Sequence, residues 1–267
     1  MWFGGLMHPS LIPPRQVTIG DAAAFVGTTP RAIRHYHQIG LLPEPARGSD
    51  DRRRYGYDEI IRLLWIRKMA DAGIALDDIR DAFADSDHNV VGARGSRMGL
   101  LSDFVTDRLE NLPEGSLRRE DLDSLLVTER IFGPLGAAMQ ATRFIALATH
   151  PGLREESDRV DAAEEALDDT VAVDDPRVTE VAAERHAFER MLHAVIEESG
   201  LAKNDDALFD SWDESHPAAA GDIEEEAGQE SMSAFEAVGK MPYDFSPARV
   251  RCMGLAEELA AHESSSL

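Results

Sequence analysis

Apolar and polar residues between positions 18 and 40 repeat at the spacing of two short helices. Thr18 precedes the first helix as a capping residue, and Gly27 supplies a stop because glycine accepts the conformation that ends a helix. Thr29 caps the second helix, which begins at Pro30. The apolar positions of the first helix are Ile19, Ala22, Ala23 and Val26. Two short helices joined by so tight a turn form a candidate helix–turn–helix.

The second predicted helix divides into two faces. Its apolar face carries Ile33, Tyr36, Ile39 and Gly40. Its polar face follows i, i+3, i+4, i+7 spacing and carries Arg31, Arg34, His35 and Gln38. In a DNA-recognition helix the apolar face docks the first helix, and the long donors reach base edges and phosphates. A solvated surface helix has the same two faces, so the segment that follows must decide between these interpretations.

That segment predicts a short β-hairpin. An extended stretch at 41–43 leads to a polar loop over 46–51, and a second extended stretch follows at 52–57. Four arginines lie around the tip, namely Arg47, Arg52, Arg53 and Arg54. A hairpin with this charge is typical of a wing, which straddles a phosphate backbone.

Two amphipathic helices complete the module, which we place at residues 17–84. Asp58 is expected to cap the first of them, and Gly73 to end it. Its apolar stripe consists of Ile60, Ile61, Leu64, Trp65 and Met69, and its basic residues are Arg62, Arg67 and Lys68. The second helix carries Leu76, Ile79 and Phe83. The module is therefore predicted to be a winged helix–turn–helix.

The remaining chain predicts helices and no strands, so the expected fold class is mainly α, with an all-α C-terminal domain. Helical patterns occur near 153–169, 176–199, 204–213, 218–238 and 246–262. The predicted divisions are a flexible arm at 1–16, a linker at 85–99, a helical dimerisation or connecting region at 100–150, an acidic effector or interaction domain at 151–262, and a disordered tail at 263–267. Either the stripe at 101–112 or the stretch at 120–150 would form a dimer contact, and either Met1 or Met7 is the true start.

The charge is distributed unevenly. The whole chain has a formal net charge of −23, yet residues 17–84 contain 10 Lys/Arg and 10 Asp/Glu. Residues 85–267 contain 16 basic and 40 acidic residues, a net of −24. Nucleic acid requires local positive potential, so the acidic part is excluded as its binding surface and the arginines of the N-terminal module are favoured.

The sequence contains little that indicates other chemistry. Cys252 is the only cysteine, which excludes an intrachain disulfide and favours a reduced, cytoplasmic protein. His186 and His193 lie two helical turns apart without a third ligand of matched spacing, so we expect no metal and no cofactor. There is no phosphate loop, HExxH or GxSxG motif, and we expect neither catalytic residues nor an enzyme. No apolar run approaches a bilayer span, so no membrane association is expected.

The ordered succession of motifs in residues 17–84 resembles the MerR family of transcription regulators. The residues that carry the resemblance are Thr18-Ile19-Gly20, Thr29 to Arg34, Tyr36, Ile39 to Pro43, Arg53-Arg54-Tyr55, and Ala72-Gly73 with Leu76. The resemblance covers about a quarter of the chain, and the C-terminal domain resembles nothing that we recognise.

This resemblance implies a homodimer that binds an inverted repeat in double-stranded promoter DNA, distorts it, and acts with RNA polymerase. The residues that it or the polar face assigns to DNA are Thr18, Thr29, Arg31, Arg34, His35, Tyr36, Gln38, Arg47, Arg52, Arg53, Arg54, Tyr55 and Arg67. The family often has other residues at the positions of His35, His37 and Arg52, which leaves base preference and wing packing open.

Two further questions stay open from the sequence. A small-molecule effector would bind a hydrophobic pocket lined by Phe188, Met191, Trp212 and Phe235, although an ordinary helical core explains the same residues. The alternative function is an acidic helical interaction module that binds a basic protein partner and keeps the winged domain as a scaffold. The operator sequence, the effector, and the choice between activation and repression are not encoded in any pattern that we find.

Overall fold

The computed structural model describes residues 12–84, 97–113, 115–203, 205, 208–209, 212 and 232–264. Its helices are α1 Ile19–Val26, α2 Pro30–Gln38, α3 Tyr57–Asp71, α4 Leu76–Ala84, α5 Asp103–Leu109, α6 Arg119–Thr149, α7 Pro151–Glu165, α8 Pro176–Glu198, α9 Ala234–Lys240 and α10 Pro247–Ser264. A 3-10 turn at Arg97–Leu100 precedes α5. The mainly helical fold class is confirmed. Most of the linker predicted at 85–99, and of the helices predicted at 204–213 and 218–238, lies outside the described residues.

The first two helices form as their capping residues predict. The Thr18 hydroxyl oxygen accepts a hydrogen bond from the backbone N–H of Asp21 at 3.2 Å, which satisfies an otherwise unpaired donor at the start of α1. Gly27 ends α1 at a φ of 75°, where a side chain would be strained. The hydroxyl oxygen of Thr29 accepts from the N–H of Ala32 at 3.1 Å, so α2 begins immediately after the turn. The predicted helix–turn–helix is present.

The start of α3 differs from the prediction. Gly56 is the N-cap residue, and its backbone N–H donates to the carboxylate of Glu59 at 2.8 Å. Asp58 lies within the first turn, so the expectation that it caps this helix is wrong. A glutamate three positions into a helix can reach back to the cap, and here that contact fixes the start.

No strand is found among the residues that the structure describes, so the β-hairpin predicted for 41–57 is not confirmed. The segment is closed instead by isolated antiparallel bridges, Val17 with Tyr55 and Arg47 with Arg53. Pro43 and Pro45 have no backbone N–H to donate to a ladder, which limits pairing on that side of the loop. We refer to residues 44–54 as the arginine loop.

A long helix, α6, forms the centre of the C-terminal part. It is broken at Gly133, whose φ of 74° and ψ of −178° are not helical, and Pro134 follows the break. By length and composition α6 is apolar enough to cross a membrane, but half of its apolar window is buried inside the protein. The core helix of a soluble protein meets the same criterion, and the buried Asp121, Asp123 and Arg143 on α6 are typical of such a helix.

The N-terminal module shares one hydrophobic core with the helices that follow it. This core runs from Val17 to Met241 and includes the buried faces of α1, α3 and α6. A smaller core around Cys252 joins the chain between α7 and α8 to α10. Because α3 packs on α1 as well as on α6, it buries residues on more than one face, including Leu63 and Ile66 beside the predicted stripe.

Polar contacts reinforce the junction between the module and α6. The Lys68 ammonium on α3 pairs with the carboxylate of Glu129 on α6. That carboxylate also accepts from the backbone N–H of Ser102 at 2.9 Å. The guanidinium of Arg130 donates to the carbonyl oxygen of Phe25 at the end of α1, where helix carbonyls lack partners of their own.

The segment that precedes α1 also joins the two parts of the chain. Val17 exchanges backbone hydrogen bonds with Tyr55 at 2.9 and 3.0 Å. Three residues earlier, the carbonyl oxygen of Pro14 accepts from the backbone N–H of Tyr243 at 2.9 Å. The guanidinium of Arg15 pairs with the carboxylate of Asp169. A single short stretch therefore contacts both the base of the arginine loop and the segment between α9 and α10.

Candidate nucleic-acid interface

The structure divides α2 into the two predicted faces. Arg31, Arg34, His35 and Gln38 are exposed. Ile33 is fully buried, and the half-buried Tyr36 packs against the core. Within the described residues, no carboxylate forms an ion pair with Arg31 or Arg34. The long donors of α2 therefore face solvent, while Ile33 and Tyr36 on its opposite face anchor the helix to the core.

His37 fixes the end of α2, a role that no pattern in the sequence predicted. Its Nδ1 lies 3.0 Å from the carbonyl oxygen of Leu42, and its Nε2 lies 3.0 Å from the hydroxyl of Tyr55. A carbonyl only accepts, so we assign the proton to Nδ1 and let Nε2 accept from the hydroxyl. The ring thus ties α2 to the residue that closes the arginine loop.

Tyr55 consequently has a different place from the one expected of it. Its side chain is fully buried and its hydroxyl is engaged by His37, so it cannot contact DNA directly. Burial raises the pKa of Tyr55 to about 12, although the charge of Arg53 opposes the rise. The assignment of Tyr55 as a DNA contact is corrected: it is a residue of the core that positions the loop.

The arginine loop contains its own acidic partners. Arg53 makes a two-pronged contact with Glu44, with distances of 2.7 and 2.9 Å. The remaining pairs are Arg54 with Asp50 at 2.7 Å, Arg47 with Asp51 at 3.1 Å, and Arg52 with Asp50 at 3.9 Å. The hydrogen bond from Arg53 holds the pKa of Glu44 below its usual range. The loop is therefore a set of ion pairs and not a bare cluster of positive charge.

A cleft of about 470 Å³ separates the helix–turn–helix from the arginine loop. It is lined by Thr18, Ile19, Arg34, Arg47, Asp51, Arg52 and Arg53. Residues from α2 and from the loop thus line the same cleft, although they are up to 19 positions apart in the sequence. A groove with guanidinium groups from two segments suits a polyanion, because each guanidinium can donate two hydrogen bonds to one phosphate.

Arg67 does not line this cleft. Its guanidinium donates to the carbonyl oxygen of Val26 and lies 3.3 Å from the carboxylate of Asp71. It therefore caps the end of α1, beside the similar contact from Arg130. A phosphate contact by Arg67 would require it to leave these partners, and that role stays a prediction.

None of the four residues expected to form an effector pocket lines the cleft beside the arginine loop. Phe188 is buried beneath the guanidinium groups of Arg143 and Arg185. Met191 is 43% exposed, and Trp212 contacts the edge of Phe104. The side chain of Phe235 lies outside the described part of the chain. An effector pocket formed by these four residues stays a prediction.

Cys252 is fully buried in the second core. Burial raises the pKa of its thiol to about 12. A thiol in this state is not a nucleophile near neutral pH, which accords with a structural role.

Comparison with known proteins identifies the N-terminal domain. The family model for MerR family regulatory proteins matches residues 18–55. The HTH-type transcriptional regulator HmrR of Sinorhizobium medicae is 32% identical over 68 residues, which are 26% of this chain and 46% of that protein. The mercuric resistance operon regulatory protein of Bacillus cereus is 29% identical over 94 residues, 35% of this chain and 67% of its own length.

A third relative extends further along the chain. The uncharacterized HTH-type transcriptional regulator YyaN of Bacillus subtilis is 25% identical over 117 residues, 42% of this chain and 85% of that protein. The chain spans about half the length of several curated relatives that it matches. No solved structure matches it. The relatives are named as transcription regulators and not as enzymes, and the helix–turn–helix at residues 18–55 is the part of the chain that matches the MerR family model.

Proposed function

We propose that this protein is a transcription regulator that binds promoter DNA through its MerR family domain at residues 18–55. The observation that carries the proposal is the cleft in which Arg34 of α2 meets Arg47, Arg52 and Arg53 of the arginine loop. The names of the relatives support the same function. Such a regulator acts by binding promoter DNA and not by catalysis. Because this DNA lies in the cytoplasm of a bacterial-type cell, the proposed location of the protein is the cytoplasm.

In the proposed complex α2 enters the major groove. Arg31, Arg34, His35 and Gln38 face the bases and the nearest phosphates, while the arginine loop lies over the flanking backbone as a wing. The acidic C-terminal part repels the rest of the duplex, so binding depends on these few cations. Part of the specificity comes from the deformation of the DNA between the two half-sites, because its cost varies with sequence.

The proposed active form is a homodimer that binds an inverted repeat, since two copies related by a two-fold axis present two copies of α2. Contact with RNA polymerase and control by a small-molecule effector in the C-terminal helices complete the proposal. The alternative, an acidic module that binds a basic protein, predicts a partner that stays bound after nuclease treatment together with no binding of DNA.

The test is an unbiased selection of DNA by the purified full-length protein from a random-sequence pool. We expect an enriched inverted repeat. Arg53→Ala should weaken binding to every sequence tested, because its expected contact is to the phosphate backbone and not to a base. Arg251→Ala removes the same charge from an exposed position on α10 and serves as the matched control. Failure to prefer any DNA over the random competitor would refute the proposal.

A further inference from the structure

The four arginines of the arginine loop are balanced by three carboxylates of the same loop. The carboxylates belong to Glu44, Asp50 and Asp51, so the net charge of residues 44–54 is +1. Every one of the four guanidinium groups has a carboxylate oxygen within 3.9 Å. By contrast, Arg31 and Arg34 on α2 have no carboxylate within ion-pair distance among the residues described. Within the described residues, the arginines of the loop are therefore paired with carboxylates, whereas Arg31 and Arg34 of α2 are not.

The carboxylates use donor groups of the loop arginines that a phosphate could also use. The contact of Arg53 with Glu44 uses Nε and one terminal nitrogen, which is the same two-pronged geometry that a guanidinium offers to a phosphate. Arg47, Arg53 and Asp51 also line the cleft itself. A phosphate that enters the cleft therefore meets Arg47 and Arg53 already hydrogen-bonded to carboxylates.

The carboxylates of Glu44 and Asp51 can leave more easily than their arginine partners can, because they are the more exposed member of each pair. The side chain of Glu44 is 57% exposed, whereas that of Arg53 is 33% exposed. The side chain of Asp51 is 85% exposed, and that of its partner Arg47 is 56% exposed. An exposed carboxylate regains water when it turns away, so exchange for a phosphate requires little desolvation. The more buried guanidinium groups stay where the loop holds them.

We propose that Glu44 and Asp51 are specificity-determining residues that act as internal counterions for Arg53 and Arg47 of the arginine loop. Random DNA must displace these carboxylates to reach the arginines, but its phosphates fit the loop poorly. Random DNA therefore binds weakly. An operator of matching sequence aligns its phosphates with the loop, and these phosphates replace the carboxylates fully. The inference rests on the proposed function, because it concerns the same DNA-binding site. The low pKa of Glu44 keeps this counterion charged at the pH at which DNA is bound.

The test compares Glu44→Gln and Asp51→Asn with the wild-type protein on random duplex DNA and on the selected operator. Each substitution keeps the size of the side chain and removes one negative charge. One additional effective phosphate contact raises the salt exponent by about 0.9, which is up to about 8-fold in affinity near 0.1 M salt. We expect this gain on random DNA, a smaller gain on the operator, and hence a lower specificity ratio.

Two controls separate the counterion role from general charge and from structure. Glu155→Gln removes one charge from an exposed position on α7 and should leave both affinities unchanged. Glu44→Asp keeps the charge and should retain the wild-type salt exponent. An unchanged or reduced affinity of both Glu44→Gln and Asp51→Asn for random DNA would overturn the inference. So would an equal gain in Glu155→Gln.

The outcomes also distinguish this inference from the proposed function. If the wild-type protein selects an operator and the loop variants keep its specificity ratio, only the counterion role is refuted. If neither the wild-type protein nor the variants bind DNA, the proposed function is refuted and the inference with it.

Discussion

Removing the carboxylate of Glu129 should destabilise the whole protein, because this group joins three segments of the fold. It is 8% exposed, it pairs with Lys68 of α3, and it accepts from the backbone N–H of Ser102. Glu129→Ala leaves that N–H without its acceptor, which costs about 1–3 kcal/mol. Breaking a buried ion pair costs about 3–5 kcal/mol, but Lys68 is 31% exposed and can turn towards water.

We therefore expect Glu129→Ala to lower the free energy of unfolding by about 2–4 kcal/mol. Urea unfolding of the full-length chain, followed by tryptophan fluorescence and by circular dichroism, measures this quantity. Glu129→Gln keeps an acceptor for Ser102 and should cost about 1 kcal/mol. Glu155→Ala, at an exposed position on α7, should stay within about 0.5 kcal/mol of the wild type. A Glu129→Ala protein as stable as this control would show that the Glu129 carboxylate does not stabilise the junction between α6 and the N-terminal module.

Three further predictions follow from single groups. Tyr55→Phe removes the hydroxyl that donates to His37. This change should lower the free energy of unfolding by about 1 kcal/mol and weaken DNA binding. Unchanged values of both would contradict the positioning role of Tyr55. Hydrogen bonds from the side chain and from the backbone N–H of Arg177 hold the pKa of Asp175 at about 2, below its ordinary value of 3.8. This carboxylate therefore stabilises α8 at pH values above 3.8 and loses its effect as the pH falls towards 2. The difference in melting temperature between the wild type and Asp175→Ala should therefore shrink below pH 3.8, and a constant difference would refute the assignment. Cys252 should react with a chromogenic disulfide reagent only after denaturation, and rapid labelling of the native protein would contradict its burial and its raised pKa.

The helix–turn–helix could be predicted from the sequence because its determinants are local. Thr18, Gly27 and Thr29 act on groups no more than four residues away, so the chain shows both cause and effect within one window. The faces of α2 were predicted for the same reason. Helical spacing alone decides which of its residues point to the core.

Contacts between distant residues could not be predicted in this way. Arg130 lies 105 positions from its acceptor on α1, and Lys68 lies 61 positions from Glu129. Tyr55 was assigned to DNA together with the neighbouring Arg53 and Arg54, yet its hydroxyl is paired with a histidine 18 positions earlier. The zero net charge of residues 17–84 was visible in the sequence. Which arginine pairs with which carboxylate could be seen only in the folded loop.

The stretch from Pro14 to Val17 also constrains how the protein folds. It closes the base of the arginine loop through Tyr55, but its second backbone partner is Tyr243, near the opposite end of the chain. Contacts of such long sequence separation form slowly, because a large loop must close before they contribute. During synthesis the N-terminal module emerges first, but the hydrogen bond between Pro14 and Tyr243 can form only after residues beyond 240 have been made. The part of the protein that is made first is therefore completed last.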